Sequence, residues 1–370
     1  MKNGFATVFC FRYTEMSRKK DIKAVSLFSG AGGLDIGFER AGFKTVFANE
    51  FDHDAAETWK RNRPDCAGVM VEGDICEHLN ELADFQDVGV VFGGPPCQGF
   101  SVAGKMDPED ERSKLVWRFF DAVELLNPRV FVMENVAALG TLRKWKAVRD
   151  NIVKRATGLG YDVSYKVHHT PDYGVPENRD RVIFIGVRKD VGSIESFYSQ
   201  LNNHRAAACS AREVILSAGK YGSEENPQTC TAGISLATNP VMRKSPYAGM
   251  LVNGAGRPID LDGIAPTLPA SMGGNKTPIV DEIALNDSSA TNWFVSYHEK
   301  LLKGKATPST TKVPSSARRL TIKECAAIQT FPKEYIFHGA KTKQYRQIGN
   351  AVPCRFAEVV ALSVRDAFFQ

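Results

Sequence analysis

The chain is expected to form an α/β fold on a mixed, mainly parallel sheet, followed by a smaller irregular domain. Residues 23–188 alternate short apolar runs with amphipathic stretches, the pattern of βαβ units. Beyond residue 190 that alternation fades into segments rich in Gly, Ser, Thr, Asn and Pro, and helical periodicity returns only near residue 321. The bulk composition fits this class. A length of 370 residues suits roughly two domains. With 43% hydrophobic and 24% charged residues, the balance is that of a globular protein.

In chain order, strands are expected at 23–28, 45–48, 69–72, 88–92, 129–133, 161–168 and 181–187. Helices are expected at 33–41, 53–61, 75–82, 114–126 and 142–157, on apolar spacing of three and four. The last two strands suit an antiparallel hairpin with a long loop. Within 191–317 the pieces 277–283 and 293–298 read as extended, and 303–316 is the nearest thing to a linker. Segments 321–329 and 356–369 read as helical. The organisation is therefore an extension at 1–22, a main domain at 23–190, an irregular domain at 191–317, and a return at 318–370 that completes the main domain.

Several classes are excluded. The basic start, with Arg12, Arg18, Lys19 and Lys20, lacks the apolar core of a secretory signal. No apolar run approaches the ~20 residues that cross a bilayer. Eight cysteines without a C-x-x-C pair argue against a zinc ribbon and suit a reducing cytoplasm, so no metal is expected. Net charge is only +5, but residues 300–346 carry eleven Lys and Arg against Glu324 and Glu334. Such a run is either a solvated face or a nucleic-acid contact.

The most informative motif is VVFGGPPCQGFS at 90–101. Two glycines end the strand, and two prolines hold the chain extended. Cys97 follows at the rim of the sheet, where α/β folds bind ligands. The other cysteines, Cys10, Cys66, Cys76, Cys209, Cys230, Cys325 and Cys354, read as small buried hydrophobes. AVSLFSGAGGLDIGF at 24–38 is strand, glycine turn, helix, so Gly30, Gly32 and Gly33 admit a close ligand and the helix offers free N–H groups. Glu50, some twenty residues on at the end of the second strand, is placed to accept from ribose hydroxyls. Asp74 follows the third strand, either facing an adenine amino group or capping the next helix. These glycines and acids fit an adenosine-containing cofactor without separating NAD from S-adenosylmethionine. MENVAALG puts Glu134 and Asn135 at the same rim. PENRDRVIF sets Arg179 and Arg181 two residues apart on one strand face.

Taken together, LFSGAGG (27–33), NEFD (49–52), GDI (73–75), GPPCQGFS (94–101), ENV (134–136), PENRDR (176–181), RRLTIKECAAIQTFP (318–332) and QIGNAVP (347–353) resemble the DNA cytosine-5 methyltransferases of bacterial type, in that family's order. The resemblance implies a Rossmann-like, S-adenosylmethionine-dependent domain plus a target-recognition domain at 191–317. It implies Cys97 as the nucleophile at cytosine C6, Glu134 as the acid at N3, Arg181 at O2 and Arg179 in support of the thiol loop or the base. Phe28, Gly30, Gly32, Gly33, Glu50, Asp74, Pro96 and Asn350 would line the cofactor pocket, with S-adenosyl-L-homocysteine as product. Gln98 and Ser101, on a loop at 100–112 that closes on a flipped base, would meet DNA. Base-reading loops are expected at 263–282 with Arg257 nearby, and phosphate contacts at Lys312, Arg318 and Arg319. The implied partners are double-stranded DNA and, in restriction–modification pairs, a separately acting cognate endonuclease. A monomer in the bacterial cytoplasm, with no membrane association, is expected.

The chain departs from the usual Gln-x-Arg-x-Arg pattern by carrying Glu177 at the first position. Rival readings keep the chemistry on RNA, or leave an idle DNA-binding homologue, although Cys97, Glu134, Arg179 and Arg181 are all present. A zinc deaminase is excluded because Phe100 stands where its second cysteine belongs and no H-x-E occurs.

Overall fold

The computed structural model describes residues 21–96 and 115–369. Residues 1–20, Cys97, Gln98, Ser101 and the loop at 100–112 lie outside the described residues.

Strands β1 (Ile22–Leu27), β2 (Phe43–Glu50), β3 (Met70–Glu72), β4 (Val90–Gly93), β5 (Val130–Val136) and β6 (Tyr161–His169), a two-residue β7 (Glu177–Asn178) and β8 (Asp180–Arg188) follow in order. The seven-stranded sheet runs β3-β2-β1-β4-β5-β8-β6. β1 to β5 are parallel, and β8 is antiparallel to both β5 and β6. The expected hairpin of 161–187 is thus formed, with β8 inserted beside β5. Pairing with β8 extends β5 through Glu134 to Val136, opposite Arg181.

Helices α1 (Gly33–Arg40), α2 (His53–Arg61), α3 (Ile75–His78), α4 (Leu115–Leu126), α5 (Ala137–Thr141), α6 (Lys146–Gly158) and α7 (Ile194–Asn203) follow. The single helix expected at 142–157 is divided: α5 ends, a 3-10 turn buries Trp145, and α6 begins. One sheet face buries Val25, Val91, Phe131 and Met133 against Phe119, Phe120 and Ile152. The other buries Phe92, Val130, Val132 and Ile185 against Phe38, Phe197 and Phe356. Buried on both faces, the central strands are near-continuous apolar runs, as parallel sheets require. α7, on the segment expected in the irregular domain, packs on this sheet core through Ile194, Phe197 and Leu201.

The remainder comprises α8 (Ala211–Ser217), β9 (Leu236–Val241), β10 (Met250–Val252), β11 (Ala265–Pro266), β12 (Ile279–Asp281), α9 (Glu282–Asn286), α10 (Trp293–Leu302), β13 (Ala317–Arg319), α11 (Ile322–Ile328), α12 (Lys341–Asn350) and α13 (Cys354–Phe368). A second core joins α8 and α11 to Leu261, Leu268, Met272 and Tyr345. Residues 293–298, expected extended, are helical. Asn292 caps α10 by accepting from Phe294 N–H (3.0 Å), and Phe294, Tyr297 and His298 bury one face at helical spacing. Cap and burial override the β propensity of Val295 and Tyr297. α13 returns to the first core, and its Phe356, Val360, Val364 and Phe368 pack on the sheet. Among the described residues, no helix is long and apolar enough to cross a membrane.

Candidate active site

The site forms at the sheet edge where β1, β2, β4 and β5 end and β8 begins. Register aligns Leu27 with Asn49 and Gly93, Gly93 with Met133, and Val136 with Arg181. Beyond β1 the chain turns sharply. Phe28 is left-handed at φ 55°, unusual for a bulky side chain, and Gly30 and Gly32 follow at φ 56° and 83°. Gly30 N–H donates to Glu50 Oε2 (2.7 Å), while Glu50 Oε1 accepts from Asp52 N–H (2.8 Å). Burial raises the Glu50 carboxyl above its ordinary range.

The three glycines differ in what they face. A Cβ at Gly30 would meet nothing within 4 Å, so this position is open to a ligand. A Cβ at Gly32 would lie 2.9 Å from Arg63 and 3.0 Å from Tyr335, and one at Gly33 would lie 2.5 Å from Val352 O. Those two pack against protein, not toward the open side. Tyr335 donates to Ala31 O (2.6 Å), and Arg63 pairs with Glu39 (2.6 Å), bracing the turn from behind. Phe51, directly after Glu50, is 75% exposed. The sequence pattern gives no signal for it, because an aromatic is ordinarily assigned to the core. Phe28, Gly30, Glu50 and Phe51 suit an adenosine group, which needs flat apolar contacts and an acceptor for its hydroxyls. Asp74 caps α3 by accepting from Cys76 N–H (2.9 Å). Asn350 is exposed at the end of α12.

The second half of the site is held by buried polar contacts. Asn135, 2% exposed, donates to Pro95 O (3.0 Å) and fixes the diproline preceding Cys97. A Cβ at Gly94 would lie 3.0 Å from Glu134 Oε2, so glycine lets the chain pass over that carboxyl group. Glu134 pairs with Arg181 Nε (2.7 Å). Even so, burial pushes the Glu134 carboxyl above the usual range, while Arg181 and Arg179 oppose the shift.

Arg179 does not share that surface. It is 1% exposed, and its Nη2 donates to Gly349 O (2.8 Å) and Ala351 O (2.9 Å). Among the described residues its acceptors are Glu177 and the Leu268, Gly349 and Ala351 carbonyls, so it clamps the backbone around Asn350. Glu177, fully buried, accepts from Leu268 N–H (2.6 Å) and faces Arg179 (3.4 Å). Its Oε2 has no partner among the described residues, and burial raises its carboxyl above the ordinary range. The same burial lowers the Arg179 guanidinium to about 10.

In the stretch expected to read bases, Thr267, Pro269, Ser271, Asn275 and Lys276 are exposed, whereas Leu268, Met272 and 277–281 are buried. Only some positions of 263–282 therefore face outward. Arg257 and Lys312 are exposed. Arg318 and Arg319 overturn the expected phosphate contacts. Arg318 is 8% exposed, is bidentate to Glu324 (2.8 Å twice) and lies over Tyr221. Arg319, 3% exposed, donates to Thr277 O (2.7 Å) and Ala232 O (3.1 Å). Buried charges must be paired, so these arginines hold β13 to its surroundings.

A family model described as C-5 cytosine-specific DNA methylase matches residues 22–365. Type II methyltransferase M1.HphI of Haemophilus parahaemolyticus is 32% identical over 354 residues, covering 92% of this chain and 86% of that protein. Type II methyltransferase M.FnuDI of Fusobacterium nucleatum is 32% identical over 364 residues, covering 93% and 94%. The solved Dnmt2 methyltransferase of S. pombe shares the fold at TM-score 0.59 and 14% identity, covering 93% of this chain and 98% of that one. The methyltransferase EhMeth of Entamoeba histolytica does so at TM-score 0.60 and 16% identity, covering 94% and 99%.

Proposed function

Since the chain belongs to the C-5 cytosine-specific DNA methylase family, we propose that it methylates C5 of a cytosine rotated out of a specific double-stranded DNA sequence. The observation that supports this most is the meeting of Gly30, Glu50, Pro96, Glu134 and Arg181 at one sheet edge. The residues around Phe28 and Gly30 fit S-adenosylmethionine, which when bound supplies an electrophilic methyl group and departs as S-adenosylhomocysteine. Phe28 and Phe51 would hold its adenine, Glu50 its ribose hydroxyls and Asp74 the adenine amino group, with Pro96 and Asn350 closing the pocket.

The chain's own residues make cytosine reactive. C5 is a poor nucleophile until a thiolate adds to C6. Cys97 forms that bond as thiolate and turns the ring into an enamine-like species. Glu134, whose carboxyl burial shifts toward the protonated form, donates at N3, where addition builds basicity. Arg181 holds O2, where negative charge grows. C5 then takes the methyl group; loss of the C5 proton to water, departure of Cys97 as thiolate and return of the N3 proton to Glu134 restore the aromatic ring. Residues 191–317 act as the recognition unit, and a cognate endonuclease acts separately where the chain serves a restriction–modification pair.

The test is a duplex carrying 5-fluorocytosine at the site found by bisulfite sequencing. A crosslink through Cys97, absent in Cys97→Ser, is the expected result. No crosslink in the active wild-type enzyme would defeat covalent catalysis by this residue, and methylation of tRNA but not duplex DNA would move the substrate to RNA.

A further inference from the structure

α12 lies between the cofactor edge and the recognition segment. On one flank Lys343 faces Asp52 (3.7 Å) and Asp54 (3.8 Å), and Gln347 accepts from Thr58 (2.6 Å). On the other, Gly273 packs on Thr342, and Gly349 packs so closely on Pro269 and Ala270 that a Cβ would lie 2.6 Å from Pro269 O. Between the flanks, Thr342, Arg346 and Asn350 recur every fourth residue, so they share one helix face, and all three are exposed. The face ends at the reactive edge: the carbonyls on either side of Asn350 are held by Arg179, two residues before Arg181.

The Arg346 side chain has no hydrogen-bond or ion-pair partner among the described residues. Neither does Lys276, exposed in the turn that follows Gly273. They contrast with Arg63, Arg179, Arg318 and Arg319, whose charges meet carboxylates or carbonyls. An exposed cation is usually just solvated. What separates these two is their place, Arg346 on the open face of α12 and Lys276 three residues after Gly273, which packs on Thr342, with no acid committed to either among the described residues.

We propose that this face of α12, with Lys276 beside it, is a ridge that grips the sugar–phosphate backbone of the target duplex next to the flipped nucleotide. Arg346 and Lys276 each neutralise a phosphate, and Thr342 adds a neutral hydrogen bond. The proposal rests on the reading of the chain as a DNA methylase. It also gives the duplex two open cations, where Arg318 and Arg319 are buried and committed to protein groups.

The experiment measures affinity of the full chain for a labelled duplex carrying the methylated site, against NaCl from about 50 to 200 mM. Arg346→Ala and Lys276→Ala should each flatten the slope of log affinity on log salt by about 0.9, and the double variant by about twice that. Arg346→Lys should retain the wild-type slope. Binding of S-adenosylmethionine should be unchanged in all of them. Unaltered slopes in both alanine variants would overturn the ridge. A weaker affinity for S-adenosylmethionine with an unaltered slope would overturn it too, and give Arg346 to the cofactor carboxylate. A wild-type chain that neither binds nor methylates duplex DNA would sink the underlying reading, whereas an active wild type with unchanged variant slopes would sink the ridge alone.

Discussion

Glu134 is the residue whose environment speaks most directly about chemistry. Its carboxyl group is raised by burial despite the Arg181 ion pair, so the protonated form persists to higher pH than in an exposed glutamate. Glu134→Gln keeps shape but has no acid proton to give, and single-turnover methylation should fall by about 10²–10⁴. The stability sign is also set. A raised folded pKa favours the fold below the unfolded value, and that advantage fades as pH rises through the folded value. Melting measured across that range should therefore shift in favour of the Gln variant as pH increases. Glu177 differs. Its Oε1 accepts from Leu268 N–H, a role an amide oxygen also fills. Glu177→Gln should leave single-turnover methylation within about tenfold, because a contact remote from the reacting atoms rarely exceeds ~1–2 kcal/mol. A larger loss would make the carboxylate itself functional. Sequence spacing places Glu134, Glu50 and Arg181 together, because strand ends at one sheet edge converge whatever the loops do. It does not reveal the burial of Arg179, which depends on carbonyls about 170 residues away.

At the scale of elements, strand and helix positions were legible wherever apolar periodicity was strong, as in β1, β2, α2 and β8. α10 was not, because its helix rests on an Asn292 cap and on burial against Val252 and Ile279. The glycines show how elements pack. A Cβ at Gly37 would collide with the Ala357 backbone, so α1 and α13 touch through this position. Gly37→Ala should cost about 1–3 kcal/mol by overpacking, read as a lower denaturation midpoint in urea with an unchanged slope. An unaffected midpoint would mean that the two helices separate at little cost.

The whole molecule is closed by its last helix. α13 buries Phe356, Val360, Val364 and Phe368 on the sheet, and each such side chain contributes ~1.5–3 kcal/mol. That sum is comparable to the ~5–15 kcal/mol stability of a typical domain. A chain ending at Pro353 should therefore lose cooperative thermal unfolding, and a sharp transition in it would show that the sheet stands without α13. Taken by itself, the sequence determined the family, the order of its motifs and the strand ends that carry them, because hydrophobic period and turn residues act locally. Tertiary structure alone decided which charges are open and which are committed. Arg318, Arg319 and Arg179 look in sequence like any basic residue, yet burying a charge requires a partner, and only the folded chain brings Glu324, Thr277 O and Gly349 O to them.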